Sequence, residues 1–180
     1  MTAPRRVLCL SGSLRRASAN TAVLEAAREL ARDRLELVLY RGLGDLPLFN
    51  PDDENDALPP SVAALRQAVG RCDLLLVASP EYAHGVPGAF KNLLDWLVGS
   101  LEFPGKPVVL INTSGRGSHH AQDALHEVLR TMSARLLDEV STIIPLSGAG
   151  CRADQVLGDP ERCAELRALL SRLARVSLQG

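Results

Sequence analysis

The chain is short of lysine: Lys91 and Lys106 are the only two, and every other basic side chain is an arginine or one of four histidines. It has almost no net charge. Twenty Lys and Arg against 21 Asp and Glu leave a formal charge of −1, so no strong field draws it to nucleic acid. The arginines recur on all the predicted helices except Ala89 to Val98, which is the distribution of solvated helix surface rather than of one basic stripe. No hydrophobic run approaches membrane-spanning length. Met1 to Leu10 places basic residues before apolar ones, but that apolar part is too short for a secretory signal and merges into a strand. Cys9, Cys72, Cys151 and Cys163 have no C-x-x-C spacing. Cys9 and Cys72 fall in or beside predicted core strands, where a free cysteine behaves as a small hydrophobe. A reduced, cytoplasmic protein is expected. Two phosphate motifs are missing as well. Without G-x-G-x-x-G there is no standard dinucleotide fingerprint, and without G-x-x-x-x-G-K-[ST] there is no nucleotide triphosphatase loop.

What is present is enough for a full core. A length of 180 residues with 46% hydrophobic content fits a single domain over residues 1–180. The chain is organised around Val7 to Leu24. There Val7-Leu8-Cys9-Leu10 reads as a buried strand, Ser11 to Thr21 as a polar loop and Ala22-Val23-Leu24 as a helix start. A helix start carries unpaired, partly positive N–H groups and accepts an anion. Ser11, Ser13, Ser18 and Thr21 add hydroxyls, Arg15 adds a planar cation suited to phosphate, and Gly12 lets the backbone approach closely. The plainer reading is a capped strand-to-helix turn with Ser18 or Asn20 as N-cap.

Helical spacing follows over Thr21 to Arg34, and Leu35 to Tyr40 reads as a second strand. Arg41 to Leu58 is a long Gly-, Pro-, Asp- and Asn-rich loop, whose patch Leu46-Pro47-Leu48-Phe49 is expected to pack on the body. Its acids Asp52, Asp53, Glu54 and Asp56 are read as solvated rather than metal-binding. Pro59-Pro60-Ser61 opens a helix through Val62, Leu65 and Val69. Cys72 to Ser79 is a continuous apolar strand, the pattern of a sheet covered on both faces. The loop Pro80 to Gly88 leads into a helix over Ala89 to Val98. Pro107 to Ile111 is a fourth strand and Asn112 to Ser118 a second glycine-rich polar loop. A fourth helix is predicted near His120 to Leu136, a fifth strand over Glu139 to Ile144, and a loop from Pro145 to Asp159 that includes Ser147-Gly148-Ala149-Gly150. Asp159-Pro160-Glu161 opens the last helix.

Strands alternating with helices imply right-handed crossovers and a parallel sheet with helices on both faces. Five strands fit an α/β three-layer sandwich of flavodoxin-like order 2-1-3-4-5. In that order ligands bind at the carboxyl ends of the strands near the switch point between strands one and three. The three chemically loaded loops follow strands one, three and four.

These residues resemble the NADPH-dependent FMN reductase family, which includes flavodoxin-like quinone, chromate and azo-compound reductases. Gly12-Ser13-Leu14-Arg15 with Ser18 and Asn20 is similar to that family's G-S-[LI]-R-x-x-S-x-N loop. Pro80-Glu81-Tyr82, Gly85-Val86-Pro87-Gly88, Lys91-Asn92 and Asp95-Trp96 resemble its P-E-Y-x-x-x-x-P-G-x-L-K-N-x-x-D-W. Ser114-Gly115 followed by Ala121-Gln122 and Leu125 is similar to its strand-four loop and A-Q-x-x-L helix. The chain departs from many relatives at Ala83, where Asn is common, at His84, and at Ser118-His119-His120, which replaces a Gly-Gly and Arg stretch.

The resemblance implies FMN, with its phosphate on Ser11, Ser13, Arg15, Ser18, Asn20 and Thr21. It implies a ring against Pro80, Glu81, Tyr82 and Gly85 on one side and Ser114, Gly115 and Arg116 on the other. It also implies NADPH as hydride donor, a quinone or free flavin as acceptor, no catalytic side-chain nucleophile, and a homodimer or tetramer. Arg116 or Arg41 could meet a 2′-phosphate. Trp96 and the helix from His120 to Leu136 are expected at or near the dimer interface, because one internal stripe does not readily hide Trp96 with Phe90, Leu93, Leu94 and Leu97. The competing placement puts Trp96 under the long loop of its own chain. His84, His119 and His120 lack a carboxylate or cysteine partner at ligand spacing and are read as loop surface. Lys91 and Asp95 are one helical turn apart, which suggests a surface pair. The alternatives in other classes are a non-enzymatic flavodoxin-type electron carrier, a receiver-type domain and a nucleotide-binding regulatory module. A carrier is more often strongly acidic. A receiver needs acids where Ser11 and Ser79 stand.

Overall fold

In the computed structural model, which describes residues 3–31, 34–54, 58–146 and 150–178, continuous apolar runs build a sheet buried on both faces. Strand β1 (Arg5–Ser11) pairs in parallel with β2 (Leu35–Leu39) and with β3 (Leu74–Ala78), and β3 pairs with β4 (Pro107–Ser114). The order is β2-β1-β3-β4, continued by β5 (Arg135–Leu136) and β6 (Thr142–Leu146), both parallel to β4. The predicted order 2-1-3-4-5 therefore holds, with the fifth position shared by two short strands.

Successive residues of each central strand point to opposite faces. Val7, Cys9, Leu74, Leu76, Val109 and Ile111 meet α1 (Ala19–Leu30), α5 (Ala153–Leu157) and α6 (Pro160–Arg175) in one core. Leu8, Leu10, Leu75, Val77, Val108 and Leu110 meet α2 (Pro60–Gly70), α3 (Gly88–Val98) and α4 (His119–Thr131) in the other. Two helical layers around one sheet are the three layers expected. Among the described residues no helix is long and apolar enough to cross a membrane.

The structure corrects several boundaries. The fourth helix ends at Thr131, not Leu136: Ser133 turns the chain with φ 62° and Arg135–Leu136 joins the sheet. The fifth strand lies at Thr142–Leu146 rather than Glu139 to Ile144. Between its two segments the Ser141 hydroxyl accepts the Leu110 amide at 3.0 Å and donates to the Leu137 carbonyl at 3.1 Å. That side chain repairs the ladder where the edge breaks. The Pro145 to Asp159 loop contains the short helix α5. Helix α1 starts two residues before the expected Thr21 and ends at Leu30; Arg32 and Asp33, like Asp56 and Ser147-Gly148-Ala149, lie outside the described residues.

Trp96 is placed differently from the interface expectation. It is 0% exposed within its own chain. Phe49 meets its ring edge-on at 5.0 Å, and its indole N–H donates to the Pro47 carbonyl at 2.8 Å. Asn92 ties down the same loop, donating to Pro47 O at 2.9 Å and accepting from Phe49 N at 2.8 Å. Arg66 donates to the Trp96 carbonyl at 2.8 and 3.0 Å and pairs with Glu54. The second apolar surface that hides Trp96 is the chain's own loop, not a partner chain. In that loop Pro47 and Leu48 point out, Leu48 85% exposed, while Leu46 and Phe49 are half-buried.

Candidate functional site

The carboxyl ends of β1, β3 and β4 surround a cavity of about 610 Å³, lined by Ser13, Arg15, Ser18, Ala19, Asn20, Ser79, Pro80, Glu81, Tyr82, Thr113, Ser114, Gly115, Arg116, Ser118 and Leu146. That volume is in the range of small-molecule and cofactor pockets. The three loops come together because β1, β3 and β4 are consecutive in the sheet: β1 and β3 end level, with Ser11 opposite Ala78, and β4 runs on from Ile111, the partner of Ala78, to Ser114.

The β1 loop is built for close approach. The Gly12 amide donates to the Ala78 carbonyl at 2.8 Å. A Cβ at Gly12 would lie 2.8 Å from Ser79 Cβ and nearer still to its Oγ, so the β1 and β3 loops touch only because position 12 has no side chain. Ser11 Oγ and Thr21 Oγ1 hydrogen-bond at 2.8 Å and thereby join the two ends of the loop. The Ser13 hydroxyl accepts the Arg15 amide at 3.3 Å.

The start of α1 is open. Ser18 occupies the N-cap position, yet its side chain makes no capping bond and no acidic residue stands in the first turn. Among the described residues the amides of Ala19, Asn20 and Thr21 have no side-chain acceptor. Asn20 is not a cap either: its carbonyl accepts the Thr113 hydroxyl at 3.0 Å, a buried bond that fixes α1 to the end of β4. The guanidinium of Arg15 is exposed and has no partner among the described residues. Unpaired amides at the positive end of a helix, beside an unpaired cation, form an anion seat.

On the opposite wall, Asn112 shapes the β4 loop. Its amide nitrogen donates to Gly117 O at 2.5 Å and its oxygen accepts from Ser114 N at 2.9 Å. The Ser114 hydroxyl accepts the Arg116 amide at 3.1 Å, leaving the Arg116 guanidinium unpaired among the described residues. The β3 loop is a tight turn, with Tyr82 and Gly85 exchanging backbone bonds at 3.1 and 3.0 Å. Glu81 Oε2 accepts the Ala121 amide at 2.9 Å.

Of the expected site residues, Ser13, Arg15, Ser18, Asn20, Pro80, Glu81, Tyr82, Ser114, Gly115 and Arg116 line the cavity, whereas Ser11, Thr21 and Gly85 support it from behind. Ala19, Ser79, Thr113, Ser118 and Leu146 line it without having been singled out. Ser79 and Thr113 close the apolar runs of strands three and four, which was the available signal. Arg41 is engaged by Glu25 at 2.7 Å. Lys91 and Asp95 pair at 2.5 Å, as their spacing suggested. The three histidines gather: His84 stacks on His120 at 4.3 Å and His119 lies 4.0 Å from His120. The cysteines are free and buried. Burial, offset by Arg28 and reinforced by Cys72, pushes the Cys9 thiol up to about 12, so it is inert.

This donor set fits a phosphate at one end of the cavity and a ring with a polar edge at the other. The family model described as NADPH-dependent FMN reductase matches residues 5–147. The quinone reductase of Escherichia coli (strain K12) is 32% identical over 145 residues, which are 77% of this chain and 77% of that one. The probable NADPH:quinone oxidoreductase 2 of Oryza sativa subsp. japonica is 44% identical over 100 residues, 53% of this chain; the match spans about half, 49%, of that relative. Among solved structures, the flavoenzyme NAD(P)H:(acceptor) oxidoreductase FerB from Paracoccus denitrificans superposes with a TM-score of 0.74 at 29% identity, covering 93% of this chain and 96% of that one. These matches give the electron-carrier alternative no support. The chain belongs to the NADPH-dependent FMN reductase family, and is an oxidoreductase that works with FMN and NADPH.

Proposed function

We propose that this chain passes a hydride from NADPH through FMN to a two-electron acceptor, a quinone or a free flavin. The observation that carries the reading is the joining of an uncapped helix N-terminus and two rigid ring-side loops in one cavity. The names of the E. coli and O. sativa relatives support a quinone as acceptor.

When bound, FMN supplies the hydride chemistry, so the protein's share is placement and electrostatics. The first-turn amides of α1, the hydroxyls of Ser13 and Ser18, and Arg15 would hold the phosphate. Asn20 and the Ser11–Thr21 pair hold that loop in shape. Pro80, Glu81 and Tyr82, with Gly85 closing their turn, would border the ring on one side and Ser114, Gly115 and Arg116 on the other. No side-chain nucleophile is required. Since Arg41 is paired with Glu25, the guanidinium of Arg116, unpaired among the described residues, is the better candidate for a 2′-phosphate.

The family resemblance supports a homodimer, or a tetramer, with α4 at or near the interface and Trp96 away from it. Light scattering at micromolar concentration tests this: a mass near 19.3 kDa rejects the dimer. Four free cysteines support a reducing, cytoplasmic setting.

The function is tested by titrating the protein with FMN and then adding NADPH alone. Tight binding, bleaching of the flavin bands and parallel initial-rate lines at several acceptor levels are expected. Absence of FMN binding at micromolar concentration would falsify the reading. Intersecting lines with no bleaching would make FMN a substrate instead of a bound relay.

A further inference from the structure

We propose that Glu81 is a positioning residue that clasps the ring-side turn onto α4, and so sets the spacing of the two ring-side loops. The inference rests on the FMN reading above and deepens it.

Two neighbouring segments are each incomplete alone. The first is the turn from Tyr82 to Gly85, a two-residue reversal with Ala83 at φ 48° and His84 at φ 57°. Both central residues sit in the left-handed region, where Asn and Gly are the usual occupants and a Cβ is strained. Its two backbone bonds are made against that strain. The second is the start of α4. Its N-cap residue, Ser118, is left-handed at φ 48° and ψ 40°, and its side chain makes no capping bond. The third residue of that helix is Ala121, whose amide is the donor that a capping side chain usually takes.

Glu81 completes both. Its carboxylate comes from 40 residues earlier in the chain and accepts the Ala121 amide at 2.9 Å. A carboxylate at a helix N-terminus also meets the positive end of the dipole. Three residues on, the His84 ring stacks on His120 at 4.3 Å with the planes 27° apart. The strained turn is therefore held at two points against the helix that follows the opposite loop. Glu81, Tyr82, Ser114, Gly115, Arg116 and Ser118 all line the one cavity, so the clasp sets the spacing of its two ring-side loops.

The test compares wild type, Glu81→Ala and Glu81→Gln in two measurements: amide hydrogen exchange by NMR on the FMN-free protein, and FMN affinity by fluorescence titration. In Glu81→Ala, exchange is expected to quicken at Tyr82 and Gly85 as well as at Ala121, and FMN affinity to fall about five- to tenfold, the scale of a lost cap. Glu81→Gln keeps an acceptor oxygen and is expected to stay within about twofold of wild type in both. Faster exchange at Ala121 alone, with Tyr82, Gly85 and FMN affinity unchanged, would reduce Glu81 to a helix cap and overturn the proposal. Weaker FMN binding with wild-type exchange in the free protein would also overturn it, because the carboxylate would then act on the ligand directly. If wild type binds no FMN, the functional reading fails while the exchange measurement still decides the clasp. Should Glu81→Ala not fold, Glu81→Asp shortens the reach by one methylene and carries the same two readouts.

Discussion

Helices α6 and α1 begin in opposite ways. The start of α6 is self-sufficient: the Asp159 carboxylate accepts from Glu161 N at 2.9 Å and Arg162 N at 3.2 Å, Pro160 occupies the first turn, and Arg172 and Arg175 stand at the negative end. Every element of that arrangement is local. The start of α1 has neither proline nor acid, and its N-cap serine does not cap. Arg15 adds positive charge where α6 has negative. Helices α2 and α3 also begin without a side-chain cap, but α1 is the uncapped start whose Ser18 and Ala19, together with Arg15, line the cavity.

Substitutions can erase this contrast from either side. The largest effect is expected from Ser18→Asp, which gives α1 the cap that α6 has. FMN affinity should fall by about 3 kcal/mol, roughly a hundredfold, since a carboxylate then occupies the anion seat, while the thermal midpoint of the FMN-free protein rises. If titration shows unchanged affinity, the phosphate does not sit at α1. Arg15→Ala should weaken FMN binding by about 1.5–3 kcal/mol, the scale of a charge-assisted hydrogen bond; unchanged affinity removes Arg15 as a phosphate contact. Gly12→Ala forces a methyl against Ser79 and should lower denaturant stability by about 1–3 kcal/mol, as overpacking does, with weaker FMN binding alongside. A stable, tightly binding variant would show that the two loops can part. The smallest effect belongs to Asp159→Ala. It should cost about 1 kcal/mol of stability and leave FMN affinity as it was; a change in affinity would mean that the two helix ends are coupled.

Helix α6 shows what local sequence can announce. Asp159-Pro160-Glu161 identified its start correctly, because a cap, a proline and an acid act within one turn. For α1 the local signals offered Ser18 or Asn20 as N-cap; Ser18 holds that position, but its side chain makes no capping bond, and Asn20 lies inside the helix. Ser18 faces the cavity, and Asn20 bonds Thr113, 93 residues away. Local signals state which bonds a residue can make, and the fold selects which one it makes.

Periodicity was enough for the strand and helix alternation, for a sheet covered on both faces, and for the gathering of loops one, three and four around one cavity. Each rests on the pattern of one segment plus the handedness of crossovers. Only the tertiary structure could place Trp96 beneath Pro47 and Phe49, split the fifth strand around Ser141, and put the Glu81 carboxylate on the Ala121 amide. Those contacts join residues 31 to 49 positions apart, and such a pairing leaves no periodic trace. They form because a buried indole, a broken ladder and an uncapped helix must each find a partner, and the partner is whichever group the packed layers bring within reach.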